Sequence, residues 1–145
     1  MTNKASDGYA KGPFGAISES DRIAAMDIFG EFLMACRDSA ISQWDGTLEG
    51  RGKYPPWERF KARHPDLDQR AIELIKEAFP QMMDTFMYCL LGGLDARAHT
   101  VKVSIESGNI SVPNLARISW HLAGEPTAED GWFVRFSKQR FELPI

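Results

Sequence analysis

A change of hydrophobic period near residue 99 constrains this chain more than any other feature. Before it, apolar residues recur at steps of three and four; just after it, they alternate. The first spacing gathers side chains on one face of a helix, the second on one face of a strand. Helical then strand periodicity, in that order, predicts an α+β chain with helices and sheet in separate regions. The expected architecture is a layer of three to four helices packed on a small, mostly antiparallel sheet near the C-terminus. A chain of 145 residues suits one domain, read here as 18–145. Residues 1–17 read as a flexible arm punctuated by Gly8, Gly12, Pro13 and Gly15, with Tyr9 and Phe14 able to dock on the domain.

The first helix is expected from Ser20 to Trp44. Ser18 or Ser20 caps it, and Met26, Phe29, Leu33, Cys36, Ala40 and Trp44 form its stripe. Asp45-Gly46 is expected to end it. Ile28 and Phe32 widen the apolar face, which predicts neighbours on more than one side. Gly30 costs about 1 kcal/mol against Ala in a helix and is read as permitting a close approach. After the loop GTLEGRGKYPP, WERFKARH reads as a short helix stopped by Pro65, with Trp57 and Phe60 on one face. Asp66 and Gln69 resemble a capping box for a third helix buried through Leu67, Ala71, Leu74, Ile75, Ala78 and Phe79. Pro80 kinks this helix or opens a new one. Met82, Met83, Phe86, Met87, Leu90 and Leu91 continue the pattern, and Gly92-Gly93 is expected to end it. Cys36 and Cys89 sit in apolar patterns and read as buried, reduced thiols, a disulfide between packed helices being the alternative.

HTVKVSIE, residues 99–106, alternates as a strand buried on one side, and Ile110 and Val112 read as a short return strand after Gly108-Asn109. Asn114 is expected to cap a short helix carrying Leu115, Ile118 and Leu122, followed by the loop GEPTAEDG. The run GWFVRFSKQRF is read as a strand over 132–136, paired with 99–106 and buried through Trp132, Val134 and Phe136. Phe133 then needs cover from the short helix or the tail. The run is also similar to the base-stacking strand of an RNA-recognition domain, but that domain needs two aromatic strands and a basic surface. Residues 99–106 carry no aromatic and the formal charge is −3, so no nucleic-acid partner is expected.

His64, His99 and His121 lack the spacing of a metal motif, so neither metal nor other cofactor is expected. No nucleophile elbow, P-loop or dinucleotide glycine pattern occurs in the sequence. An enzyme of unfamiliar type, pairing His121 with Glu125 or Asp130, stays as one alternative. A dimeric structural or adaptor protein anchored by Trp44, Trp57 or Trp132 stays as another, and the sequence leaves oligomeric state open. FMYCLLGGL is too short to span a membrane, so a cytoplasmic protein with no membrane partner is expected.

Charge is separated along the chain. Residues 19–49 hold seven acids and two bases, whereas 50–64 hold Arg51, Lys53, Arg59, Lys61 and Arg63 against Glu58. Asp27, Glu31, Asp38 and Asp45 stand at offsets that, at about 100° per residue, place them in one narrow stripe with Met34 among them. One reading is a solvated face whose acids meet the neighbouring basic loop. The other is a docking face for a basic protein, with Met34 as its apolar contact. The loop bearing Glu125, Glu129 and Asp130 is a second candidate surface.

FMYCLLGGLD, VKVSIESG, NLARISWHLAGE and EDGWFVRFSKQRF together resemble a group of small bacterial proteins, some of them similar to immunity proteins encoded beside toxins. The resemblance covers about residues 82–141 and carries no site motif. It implies a small, cytosolic, non-enzymatic α+β protein that binds another protein and inhibits a toxin by occlusion. A nuclease toxin with a basic cleft would suit such an acidic surface.

Overall fold

The computed structural model describes residues 11–12 and 15–143. The expected arm over 1–17 lies mostly outside the described residues; within it, β1 (Lys11–Gly12) pairs antiparallel with β2 (Gly15–Ala16). The fold is α+β and mostly helical. Its helices are α1 (Glu19–Leu48), α2 (Pro55–Arg63) and α3 (Gln69–Ala96), and a two-stranded antiparallel sheet of β3 (Ile105–Ser107) and β4 (Ile110–Val112) packs against them.

Ser18 caps α1, its hydroxyl accepting from the Asp21 N–H at 3.2 Å. Asp45-Gly46 does not end the helix. The Asp45 carboxylate is engaged by Arg140, and α1 continues to Leu48. The stop falls at Gly50, whose φ of +76° suits a residue without a Cβ. α3 is capped by Asp68, which accepts from Ala71 N–H at 2.9 Å, rather than by Asp66. It passes through Pro80 and runs beyond Gly92-Gly93 to Ala96. The ion pairs Arg37–Asp84 and Glu49–Lys76 show that α1 and α3 run antiparallel.

One core joins Ala25, Met26, Phe29, Leu33 and Met34 of α1 to Met87, Leu91 and Leu94 of α3. Ile105, Val112, Leu115, Leu122, Trp132 and Phe133 complete it from the C-terminal half. A second, aromatic cluster holds α2: Trp57 lies 5.6 Å from Trp44 and 5.5 Å from Phe60, and Phe79 of α3 lies 5.7 Å from Trp44. Leu74, Ala78, Met82, Phe86 and Leu90, assigned to buried sides from periodicity, are exposed, and so are Cys36 and Cys89.

The C-terminal third departs furthest from its sequence reading. Of the expected 99–106 strand only Ile105 onward is in the ladder; the backbone at Thr100 and Val101 instead turns back on the Arg97 carbonyl. The Asn114 side chain does not cap. Its amide donates to the Ala98 carbonyl at 2.6 Å, pinning that turn, and short 3₁₀ turns cover Leu115–Arg117 and Leu122–Thr127. Residues Trp132–Phe136 form a helix, α4, not a strand. Trp132 and Phe133 are both buried, Phe136 is half-buried and Val134 is exposed, the i, i+1, i+4 pattern of a helix. The cover that Phe133 needs comes from the tail, where Phe141 stacks on it at 5.3 Å. Gly30 does permit a close approach: a Cβ there would stand 2.4 Å from the Trp132 indole nitrogen.

Candidate protein-binding surface

The acidic stripe exists as a geometric line on α1, but most of it is closed by the chain itself. Arg135 of α4 donates to Asp27 at 2.7 Å. Asp38 accepts from the Ser137 hydroxyl at 2.8 Å and from the Lys138 N–H at 2.6 Å. Arg140 grips Asp45 with two bonds of 2.7 and 2.9 Å, and donates a third to the Lys76 carbonyl of α3. These bonds hold the Asp45 carboxyl below the usual carboxylate range, chiefly through the Arg140 hydrogen bonds and against its partial desolvation. The direct partners are groups of the C-terminal segment, with Arg37 of α1 also 3.4 Å from Asp38, and not the basic loop Arg51–Arg63 that the sequence places next in line, from which Arg51 acts on Asp45 only as a nearby charge. Of that loop, Arg51 pairs with Glu49, and Lys61 with Glu58 of its own helix.

Two residues of the sequence-predicted site are therefore corrected. Met34 is fully buried in the core, so it offers nothing to a partner. Asp45 is buried too, and its charge is committed to Arg140. Behind them lies a residue that the charge pattern hid. Arg37 is fully buried, donates to both Asp84 oxygens at 2.5 and 3.2 Å, and reaches the Arg140 carbonyl at 2.8 Å and the Ser137 hydroxyl at 3.3 Å. It locks α1, α3 and the tail together. Its guanidinium also lies 4.8 Å from the Phe133 ring centroid. The one available signal was its position, one of only two bases on a helix otherwise rich in acids.

What remains open lies at the amino-terminal half of α1. Glu31 is exposed and pairs with nothing among the described residues. Of the loop acids, read from sequence as a separate surface, Asp130 approaches the same region. Asp130 lies close enough to Arg135 to help raise its pKa, after the larger effect of the Asp27 hydrogen bond. Glu125 likewise helps raise that of Arg22, whose main partner is Glu19. Its carboxylate also accepts from the Ser119 hydroxyl at 2.9 Å. Glu129 is exposed. Arg135 thus stands between Asp27, which it bonds, and Asp130; the exposed Glu31 lies one turn along α1 from Asp27, and the exposed Glu129 precedes Asp130 in the loop.

No comparable arrangement supports acid–base chemistry. His121 is exposed with its Nδ1 turned over Gly124, and Glu125 is held by Ser119. A cleft of about 380 Å³ opens between α3 and the tail, lined by two acids, Glu142 and Asp84, and Asp84 is the one clamped by Arg37. Among the described residues no group of three or more His, Cys, Asp or Glu is placed to hold a metal ion, and no helix is long and apolar enough to cross a membrane. No family model, curated protein or solved structure matches the chain.

Proposed function

We propose that this chain is a non-enzymatic, cytoplasmic protein-binding protein of the immunity type, which inhibits a basic toxin domain by covering it. The observation that carries the reading is the placing of Asp27 and Asp130 at Arg135, with the exposed Glu31 one turn from Asp27 on α1 and the exposed Glu129 next to Asp130 in the loop. Acid in excess of this cation leaves a negative field on the patch, and such a field steers a basic partner into encounter. The exposed Val134 supplies an apolar point inside the patch. Asp38 and Asp45, tied down by the tail, serve the scaffold and not the partner.

The test is binding to the product of the neighbouring open reading frame, compared between the wild type and the double variant Glu31→Lys with Asp130→Lys. The variant is expected to bind at least about tenfold more weakly, mostly through slower association, with a shallower salt dependence. Equal affinity and an equal salt slope would exclude the patch. A variant of the buried Asp45 is no substitute, because it would loosen the fold itself.

A further inference from the structure

The α1–α3 pair carries its C-terminal layer on one side only. On that side Gly30, Asp38 and Asp45 of α1 meet Trp132, Ser137 and Arg140, and Tyr88 of α3 lines the cleft with Phe133. Phe32 lies about 120° around α1 from Asp38, and Phe86 about 160° around α3 from Tyr88, at 100° per residue. Both therefore point away from the layer, and both are bare: Phe32 is 61% exposed, Phe86 60% and Met82 65%, with Ile28 and Leu90 also exposed. The antiparallel register set by Arg37–Asp84 and Glu49–Lys76 brings Phe32 level with the turn of Leu90, and Cys36 level with Phe86. The open middle of the face is also uncharged: Ala35, Cys36 and Ser39 fill the rest of it on α1, and Met83 and Cys89 on α3. It is bounded at one end by α2, packed over Phe79 and Ile75, and at the other by Arg97 beside Gly93.

We propose that this face docks a second copy of the same chain, two helix pairs closing into a four-helix bundle. Charge selects the occupant. A partner that set charges against this face would strip them of water with nothing to pair them, whereas an uncharged face of like shape meets no such cost. The face with that character here is the chain's own, and the stretches of the two antiparallel helices that α2 leaves open, around Phe32 on α1 and Phe86 on α3, can pack against their two-fold copies. Area agrees. The five exposed apolar side chains offer on the order of 500 Å² per copy, so a symmetric pair buries about 1,000 Å², the threshold for a specific interface. The acidic patch stands about 120° around α1 from Phe32 and stays open in the dimer. The dimer therefore does not depend on the proposed toxin binding.

Sedimentation equilibrium of the full chain under reducing conditions tests this. The wild type is expected to dimerise with a Kd on the order of micromolar. Phe32→Asp with Phe86→Asp should raise that Kd by at least about 100-fold, by placing desolvated carboxylates in the contact, while the far-ultraviolet circular dichroism is unchanged. A wild type that stays monomeric at hundreds of micromolar, roughly 100 times that Kd, overturns the proposal and leaves the face to a foreign protein. A dimer that survives both substitutions overturns it as well. Should the variant fail to fold, alkylation of Cys36 in a Cys89→Ser background decides. The rate should fall several-fold as the protein is concentrated through the Kd, and a rate independent of concentration refutes the interface.

Discussion

Two glycines on the helix pair show how a single Cβ takes opposite signs in different surroundings. At Gly30 an added Cβ would stand 2.4 to 2.6 Å from three atoms of the Trp132 indole. Trp132 is itself buried with Phe29 edge-on at 5.8 Å, so it has little room to yield. Gly30→Ala gains about 1 kcal/mol of helix propensity but meets an overpacking cost of about 1–3 kcal/mol. A net loss of stability is expected in urea denaturation. At Gly92, inside α3, a Cβ meets nothing within 4 Å. Gly92→Ala should therefore stabilise the protein, by about 0.5–1 kcal/mol. If both substitutions moved the midpoint in the same direction, the placement of α4 against α1 would be wrong.

At the scale of elements, α4 is the sharpest test of the fold. Its five residues carry two candidate buried sets, Trp132, Val134 and Phe136 for a strand or Trp132, Phe133 and Phe136 for a helix. Phe133→Ala is expected to cost about 3–5 kcal/mol and Val134→Ala less than about 0.5 kcal/mol, measured by chemical denaturation. The reverse ranking would restore the strand. Sequence alone could not separate the two, because five residues span less than one and a half helical turns and either period fits. What decides is tertiary: Gly131 lies within 3 Å of the Glu125 and Pro126 carbonyls at its would-be Cβ, and it turns the chain into Trp132 beneath Gly30. The long helices were legible because α1 and α3 repeat their pattern over seven or more turns and carry caps. Their ends were not, since Asp45-Gly46 and Gly92-Gly93 look like stops until Arg140 and the sheet contribute. The acidic stripe was legible as a line. Its partners were not, because Arg135 and Arg140 stand about a hundred residues away in the chain.

Across the whole molecule, the tail acts as a strap whose anchors are the acids of α1. Arg135, Ser137, Lys138 and Arg140 fasten it at Asp27, Asp38 and Asp45, and Arg37 holds it from beneath. A strap anchored on carboxylates weakens in acid, and Asp45 sets the direction. Its folded pKa is depressed by Arg140, so its contribution is complete above the unfolded value of about 3.9 and is lost as pH falls through the folded value. The Arg140 side chain is 40% exposed, which places the contribution at the low end of charged hydrogen bonds, about 1–2 kcal/mol. Asp45→Asn should lower the urea midpoint at pH 7 and flatten its fall below about pH 4. The wild-type and variant curves should then converge as the wild-type carboxyl is protonated. Arg140→Gln should do the same from the other side of the pair, since it removes the depression of the Asp45 pKa. Curves that stay parallel from pH 7 to pH 2 would mean that the Asp45–Arg140 clamp contributes nothing to holding the tail, which is then left to the Asp27 and Asp38 anchors, Arg37 and the Phe133–Phe141 stack.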